Sequence, residues 1–397
     1  MTHSKIRNYF LVFITFIFYS SVFSQGILKG RVISSATQKP LAAVSVYLNN
    51  TSIGTITDDQ GYFIITGIPI QKYTLVVSCI GYETHVEFIN TKEVNGKFVI
   101  SLKETSENLA GVVVYPSDPD GWEKWGKFFR DLFIGRNSNS DNCSLENPSV
   151  LKFRLNKENI LIVSAVEPII IRNETLGYEI SYKLEEFEYN YNAGFLRYNG
   201  YAFFTDLSYK NQKKASQYKK ERQRVYLGSL LHFMRSIYSN RAEKEGFEIK
   251  NLGKIYNPEK EKAKRYLSLA AISQPRTEGQ DVNAEDSTKY YKKLLNKPDS
   301  IISNEIIHTD SLGFERDKTA GFYFPDSLEI SYHINRTNDH RKSRAKQISQ
   351  IVFINKTPVY ILANGYYYNT NDLKLTGYWA FEGTMSSLLP YNYSFTK

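Results

Sequence analysis

Six histidines, His3, His85, His232, His308, His333 and His340, are where metal or acid–base chemistry would first be sought. A zinc peptidase needs a closely spaced pair of protein ligands, a third from elsewhere, and a Glu that acts as general base. None of the six begins a His-x-x-Glu or His-Glu-x-x-His run. Serine hydrolysis would call for a Gly-x-Ser-x-Gly elbow, and Gly228-Ser229 falls instead inside a helical pattern. No phosphate loop or dinucleotide fingerprint occurs, so no cofactor is implied and no catalytic or metal-binding residue is assigned.

Three weaker constellations remain. Glu185-Glu186 offers two carboxylates, but glycan cleavage depends on a carboxylate spacing set only in three dimensions. The pair reads as a solvated bulge. Asp58-Asp59-Gln60-Gly61 suggests calcium, yet it lacks the alternating ligands and closing Glu of a calcium loop and reads as a turn. His232 and Arg235 are one helical turn apart and can share a face. They are the two candidate ligand-binding residues, for an anionic group.

The chain has 397 residues, with 42% apolar and 23% charged, which places it among globular proteins with room for two or three domains. Tyr (30) and Phe (24) far outnumber Trp (3), a bias toward sheet. Residues 1–24 carry Lys5 and Arg7, an apolar run from Tyr9 to Tyr19, and small residues ending in Val22 and Ser24, the form of a cleaved signal peptide. The run is shorter than the roughly 20 residues of a membrane span. Without residues 1–24 the chain holds 48 basic and 41 acidic residues, net +7. Beyond a signal peptide such an excess points to anionic lipid or polysaccharide rather than nucleic acid. Cys79 and Cys143 could pair in an oxidising compartment, but Cys79 lies in a strand pattern, and both read as free thiols.

From Gly26 to Leu102, β-branched and aromatic runs recur about every 8 to 12 residues between Gly, Pro, Asn and Asp, the pattern of a small all-β sandwich of about seven strands. Asp58–Gly61 is expected to form a hairpin corner. The order Gly30-x-Val32, Pro40-Leu41-x-x-Val44-x-Val46, Thr57-Asp58-x-x-Gly61-x-Phe63 and Ile80-Gly81-Tyr82 resembles the carboxypeptidase-regulatory-like domain. The resemblance implies a transthyretin-like fold, no catalytic residues of its own, and the company of Bacteroidota envelope proteins. Leu109–Tyr115 resembles the segment that follows this domain in TonB-dependent receptors, and also reads as a linker strand. Pro116, Pro119 and Gly121 mark a boundary.

The expected domains are therefore 1–24, 26–104, a linker 105–120, and a larger body 121–397. In that body, Trp122, Trp125, Phe128, Phe129, Leu132 and Phe133 predict a helix docked by its aromatic face. Val150–Leu155 and Ile160–Ala165 predict a hairpin. In Tyr178–Tyr191 the apolar residues move from even to odd positions, which requires a bulge at Glu185–Glu186. Lys210–Arg224, with seven basic residues against Glu221, predicts an exposed helix, and Tyr226–Tyr238 an amphipathic one. Residues 251–300 read as loops with a short helix near Lys289–Asn296, and Leu328–Ile334, Gln347–Asn355, Val359–Tyr368 and Leu373–Glu382 as strands. This second half resembles a region without assigned activity in Bacteroidota proteins that carry the same domain.

The fold class expected is mainly β with α: a seven-stranded transthyretin-like β-sandwich followed by a larger α+β domain with antiparallel sheet. The function expected is non-catalytic binding or assembly in the cell envelope, at the periplasm or outer membrane. Its partners would be an envelope protein, a glycan or an anionic lipid surface, reached through sheet faces and the basic helix; oligomeric state is not legible. A hydrolase would instead show convergent carboxylates or histidines in a deep pocket of residues 121–397. A small outer-membrane barrel or TonB-linked protein would show lipid-facing alternation throughout.

Overall fold

A computed structural model describes residues 25–93, 97–105, 117–209, 211–272, 282–316, 319–333, 347–368 and 372–395. The expected signal peptide and the Leu109–Tyr115 segment lie outside the described residues. Strand exceeds helix, 41% against 24%, so the chain is mainly β with α. It divides into two compact units. The first comprises Met1–Lys127, Ser144–Arg172 and Gly177–Asn211, the second Phe128–Cys143, Asn173–Leu176 and Gln212–Lys397.

Unit 1 opens with the sandwich. Its strands are β1 (Gln25–Ser34), β2 (Ser45–Leu48), β3 (Gly54–Ile56), β4 (Tyr62–Pro69), β5 (Lys72–Ser78), β6 (His85–Asn90) and β7 (Lys97–Leu102). They form two sheets, ordered β4-β1-β7 and β3-β2-β5-β6, with β1 antiparallel to β4 and parallel to β7. Leu28, Val32, Phe63, Ile65 and Ile100 from one sheet meet Val46, Leu48, Leu75 and Val77 from the other in the shared core. The Asp58 turn forms as expected: its Oδ1 accepts the N–H groups of Gln60 and Tyr62, and Gly61 has φ 75°. It is not a hairpin, however. It carries the chain from β3 in one sheet to β4 in the other.

The second part of unit 1 is a six-stranded sheet. It contains β8 (Cys143–Leu145), β9 (Leu151–Leu155), β10 (Ile160–Ala165), β11 (Ile169–Asn173), β12 (Tyr178–Asn190) and β13 (Phe195–Asp206), ordered β8-β11-β12-β10-β9 with β13 paired to β12. The β9–β10 hairpin forms in register Leu161↔Leu155. Along β12 and β13 the register shifts between Leu184 and Glu186, so Glu185 is the bulged residue. Up to Leu184 the even positions are buried, and after the bulge Phe187 is buried instead. Helix α1 (Gly121–Phe133) buries Phe129 and Phe133 completely, and its Trp122 and Trp125 rings lie 6.2 and 6.4 Å from Phe153.

In unit 2, α2 (Gln212–Tyr226) and α3 (Leu230–Tyr238) replace the expected break near residue 225 with one at Gly228-Ser229. Gly228 has φ 81°, and Ser229 caps α3 by accepting the His232 N–H, so this dipeptide is a joint rather than mid-helix. The segment expected to be mostly loop holds a ribbon of β15 (Lys254–Tyr256) and β16 (Ser300–Ile302), which follows β14 (Phe247–Asn251) and encloses α4 (Pro258–Ile272) and α5 (Val282–Leu294). Both helices are weakly amphipathic; they meet through Tyr266 and Tyr291, stacked at 4.0 Å.

The C-terminal sheets use β17 (Gly313–Arg316), β18 (Thr319–Phe322), β19 (Leu328–Tyr332), β20 (Gln347–Phe353), β21 (Val359–Ile361), β22 (Tyr367–Tyr368) and β23 (Leu373–Gly377). Their orders are β14-β19-β20-β23 and β17-β18-β21-β22. The strand expected to reach Glu382 stops at Gly377, φ 73°, and turns into the short helix α6 (Tyr378–Glu382). Trp379 thereby enters the core and donates its indole N–H to the Gly228 carbonyl. No sheet among the described residues closes into a barrel, and no described helix is long and apolar enough to cross a membrane.

Candidate functional site

His232 and Arg235 do lie on one face of α3, where His232 is buried and Arg235 is part-buried. His232 is 3% exposed and sits among the rings of Tyr226, Phe247 and Tyr332. Its Nδ1 accepts the Gly228 N–H at 3.1 Å, while Nε2 lies 3.7 Å from a Glu245 carboxylate oxygen. Arg235 donates to the carbonyls of Asn364 and Tyr391 at 2.9 and 3.0 Å and covers the Tyr226 ring. Arg235 thereby fastens the Asn364–Gly365 turn and the segment around Tyr391 to α3.

At the bulge, Glu186 is not free in water. Arg197 bridges it at 2.7 Å and Glu188 at 2.9 Å. Glu185 keeps an exposed surface, yet crowding around its carboxyl raises its pKa by desolvation, with Lys183 opposing. Tyr47 and Tyr182 are its electrostatic neighbours, and burial above all holds both phenols well above their ordinary range. The two carboxylates thus differ in setting, the first crowded by tyrosines and the second paired with an arginine.

A polar cluster that sequence reasoning missed joins the loop after α1 to the one after α6. Asn137 Oδ1 accepts the N–H groups of Asn139 and Ser140 and the Ser386 hydroxyl, so its amide nitrogen faces Ser387 Oγ at 3.1 Å. Asn139 Oδ1 accepts from Arg224, and its Nδ2 donates to the same Ser387 oxygen at 2.8 Å. Ser387 donates its own proton to Glu382 Oε2 at 3.2 Å. Arg224 is paired in turn with Glu221 at 2.6 Å. With two N–H donors on its lone pairs and its proton committed, Ser387 is a junction rather than a poised nucleophile. Gly135 is needed here, since a Cβ would meet Thr384 Oγ1 at 2.3 Å and its φ is 109°. Among the described residues no group of three or more His, Cys, Asp or Glu could hold a metal ion.

What stands open is a sheet face. Every residue of β5 from Tyr73 to Val77 is buried, so that sheet is covered on both sides at its centre. In the β4-β1-β7 sheet burial alternates, and the outward positions include Ile27, Ile64 and Val99, 58%, 61% and 68% exposed. Between them stand Lys29 and Arg31. Register sets Arg31 opposite both Tyr62 and Val99, and Lys29 opposite Ile64. The Arg31 guanidinium lies 5.0 Å above the Tyr62 ring and its Nε donates to the Gln60 carbonyl. A half-solvated sheet ordinarily turns polar residues outward, whereas this outer face is aliphatic and cationic. The signal was present in Tyr62-Phe63-Ile64-Ile65, apolar at both parities. The basic outer face of α2 is also open, with Lys213, Lys219 and Lys220 exposed, whereas Tyr218 and Arg222 are buried.

No curated protein matches the chain. Among solved structures, a type II cohesin–X-dockerin complex from Acetivibrio cellulolyticus is similar at 23% identity over 19% of this chain and 51% of that one, about half its length, with a TM-score of 0.15. A candidate membrane-associated protein of unknown function from Bacteroides fragilis is similar at 10% identity over 88% of this chain and 94% of that one, with a TM-score of 0.17. Residues 28–114 match the family described as CarboxypepD_reg-like domain, and the seven strands in two sheets agree with it. The sandwich that opens this chain is a carboxypeptidase-regulatory-like domain.

Proposed function

We propose that the protein is an exported, non-catalytic component of the cell envelope that binds or assembles through the open face of its carboxypeptidase-regulatory-like domain. The observation that carries this reading is the row of Ile27, Ile64 and Val99 facing solvent around Lys29 and Arg31. Such a face loses free energy in water, about 25 cal/mol for each Å² of apolar surface left uncovered, and gains it back on a partner. The domain type and the signal-like residues 1–24 support placement beyond the inner membrane.

Fractionation of cells producing the full chain tests the reading. The wild type is expected in the envelope fraction, and Ile64→Glu with Val99→Glu is expected to move it toward the soluble periplasm. Recovery of the wild type from the cytosol, or turnover of a peptide or glycan by the purified protein, would overturn it.

A further inference from the structure

We infer that the open β4-β1-β7 face seats on an anionic lipid surface. The inference rests on the envelope-binding reading above and names its partner. Three observations lead to lipid. First, the outward positions whose side chains are described (27, 29, 31 and 33 on β1, 62, 64 and 66 on β4, 99 and 101 on β7) hold two cations and no carboxylate. The charge complement of the face is therefore an anion.

Second, the cations occupy the central strand, with Ile64 opposite Lys29 on β4 and Val99 opposite Arg31 on β7. Lys and Arg stems lie along apolar surface while their heads stay polar, the arrangement an acyl–headgroup boundary accommodates. Tyr62, half-exposed under the Arg31 guanidinium, adds an aromatic body with a polar tip suited to the same depth. Arg31 spends Nε on Gln60, which leaves Nη1 and Nη2 without a partner among the described residues.

Third, a protein partner would need about one hydrogen bond per 100–200 Å², and beyond the cations and the Tyr62 hydroxyl the described side chains of this face supply only the hydroxyls of Thr66 and Ser101. A fluid layer of anionic headgroups needs no such matched set. Each basic residue near such a surface strengthens binding roughly fivefold, and the strengthening weakens with salt.

The test is co-sedimentation of the purified, exported protein with vesicles of phosphatidylglycerol and phosphatidylcholine in equal parts, against phosphatidylcholine alone. Binding is expected to the anionic vesicles and to fall with added salt. Lys29→Glu with Arg31→Glu is expected to lower partitioning at least tenfold, and Ile64→Ser with Val99→Ser about as much, at unchanged circular dichroism and melting temperature. Lys213→Glu, Lys219→Glu and Lys220→Glu on α2 are expected to leave it unchanged. Equal binding to neutral vesicles, insensitivity to the sheet-face substitutions, or loss only with the α2 substitutions overturns the lipid seat. If vesicles are not bound but the face variants still leave the envelope fraction, the lipid inference falls and the envelope reading stands. If the wild type is absent from the envelope, both fall.

Discussion

The side-chain oxygen of Asn49 accepts the Ala202 N–H at 3.0 Å, a bond between positions 153 residues apart. Asn50 donates its N–H to the Ala202 carbonyl, and Phe204 donates to Thr51, so the β2–β3 turn makes an isolated parallel bridge to β13. Tyr47 rests on Phe203 with ring centroids 5.3 Å apart. This is how the sandwich and the six-stranded sheet join within unit 1.

Asn49→Ala is expected to lower stability by about 1 kcal/mol, the usual worth of a partly buried hydrogen bond. Gly54→Val should do more, about 1–3 kcal/mol, because a Cβ there meets Tyr47 Cβ at 2.6 Å and Phe203 Cε2 at 2.7 Å. Urea midpoints measure both. An unchanged midpoint for Gly54→Val would show that the turn is not seated on β13.

Gly61→Ala is expected to destabilise the sandwich by at least 1 kcal/mol. The position combines φ 75° with an approach of 2.5 Å between a built Cβ and the Val32 carbonyl oxygen. A thermal melt of the variant checks it, and a gain in stability would contradict it.

Arg235→Met keeps the apolar stem but abandons two backbone carbonyls, and the expected loss is about 2 kcal/mol. Limited proteolysis should then cut first among residues 388–395. Arg235→Lys should not restore resistance, because one ammonium cannot reproduce the guanidinium fork that reaches both Asn364 and Tyr391. Cleavage elsewhere at the wild-type rate would deny Arg235 this fastening role.

Burial pushes the Cys143 thiol up to about 12, with Arg130 opposing. A thiol ionises near 9 once unfolded. Between those values the unfolded chain has lost a proton that the folded chain keeps, so stability falls as pH rises, by up to about 1.4 kcal/mol per pH unit. Below pH 9 both states hold the proton and the effect vanishes. Chemical denaturation at pH 8 and pH 10.5 should show a larger loss for wild type than for Cys143→Ala. Equal losses would place the thiol in water.

Much of the fold could be read because period two allots strand residues to faces. The apolar positions of Tyr178–Tyr191 change parity once, and that required the bulge found at Glu185. Asp58 and Gly61 announced their turn for the same local reason, although which sheets it joined depends on pairings no neighbouring residue records. Helix α4 was hidden because its stripe is faint; it rests on Tyr266 against Tyr291 and on charge pairs such as Lys264–Glu261. Gly228 was hidden because a lone glycine is tolerated within a helix, and only its approach to Gln347 and Tyr332 shows why the chain must turn there.

The candidate sites divide in the same way. His232 and Arg235 were found by spacing, but spacing does not reveal which side of a helix is interior; Phe247 and Tyr332, far along the chain, decide that. The open sheet face was legible only as a failure of alternation at Tyr62–Ile65. The Asn137–Ser387 bond spans 250 positions, and Asn- and Ser-rich loops look alike whether they meet or not.

That bond also sets an order of events. A chain emerging from its N-terminus exposes Asn137, Asn139 and Asn173 long before Ser386 and Ser387 exist to meet them. Until then their amides are solvated by water and the loop between them has no fixed shape, because closing so distant a contact must wait for the intervening chain. Unit 2 is thus completed late, after the sandwich has had time to form, and a nascent chain arrested before residue 384 is an early target for proteases.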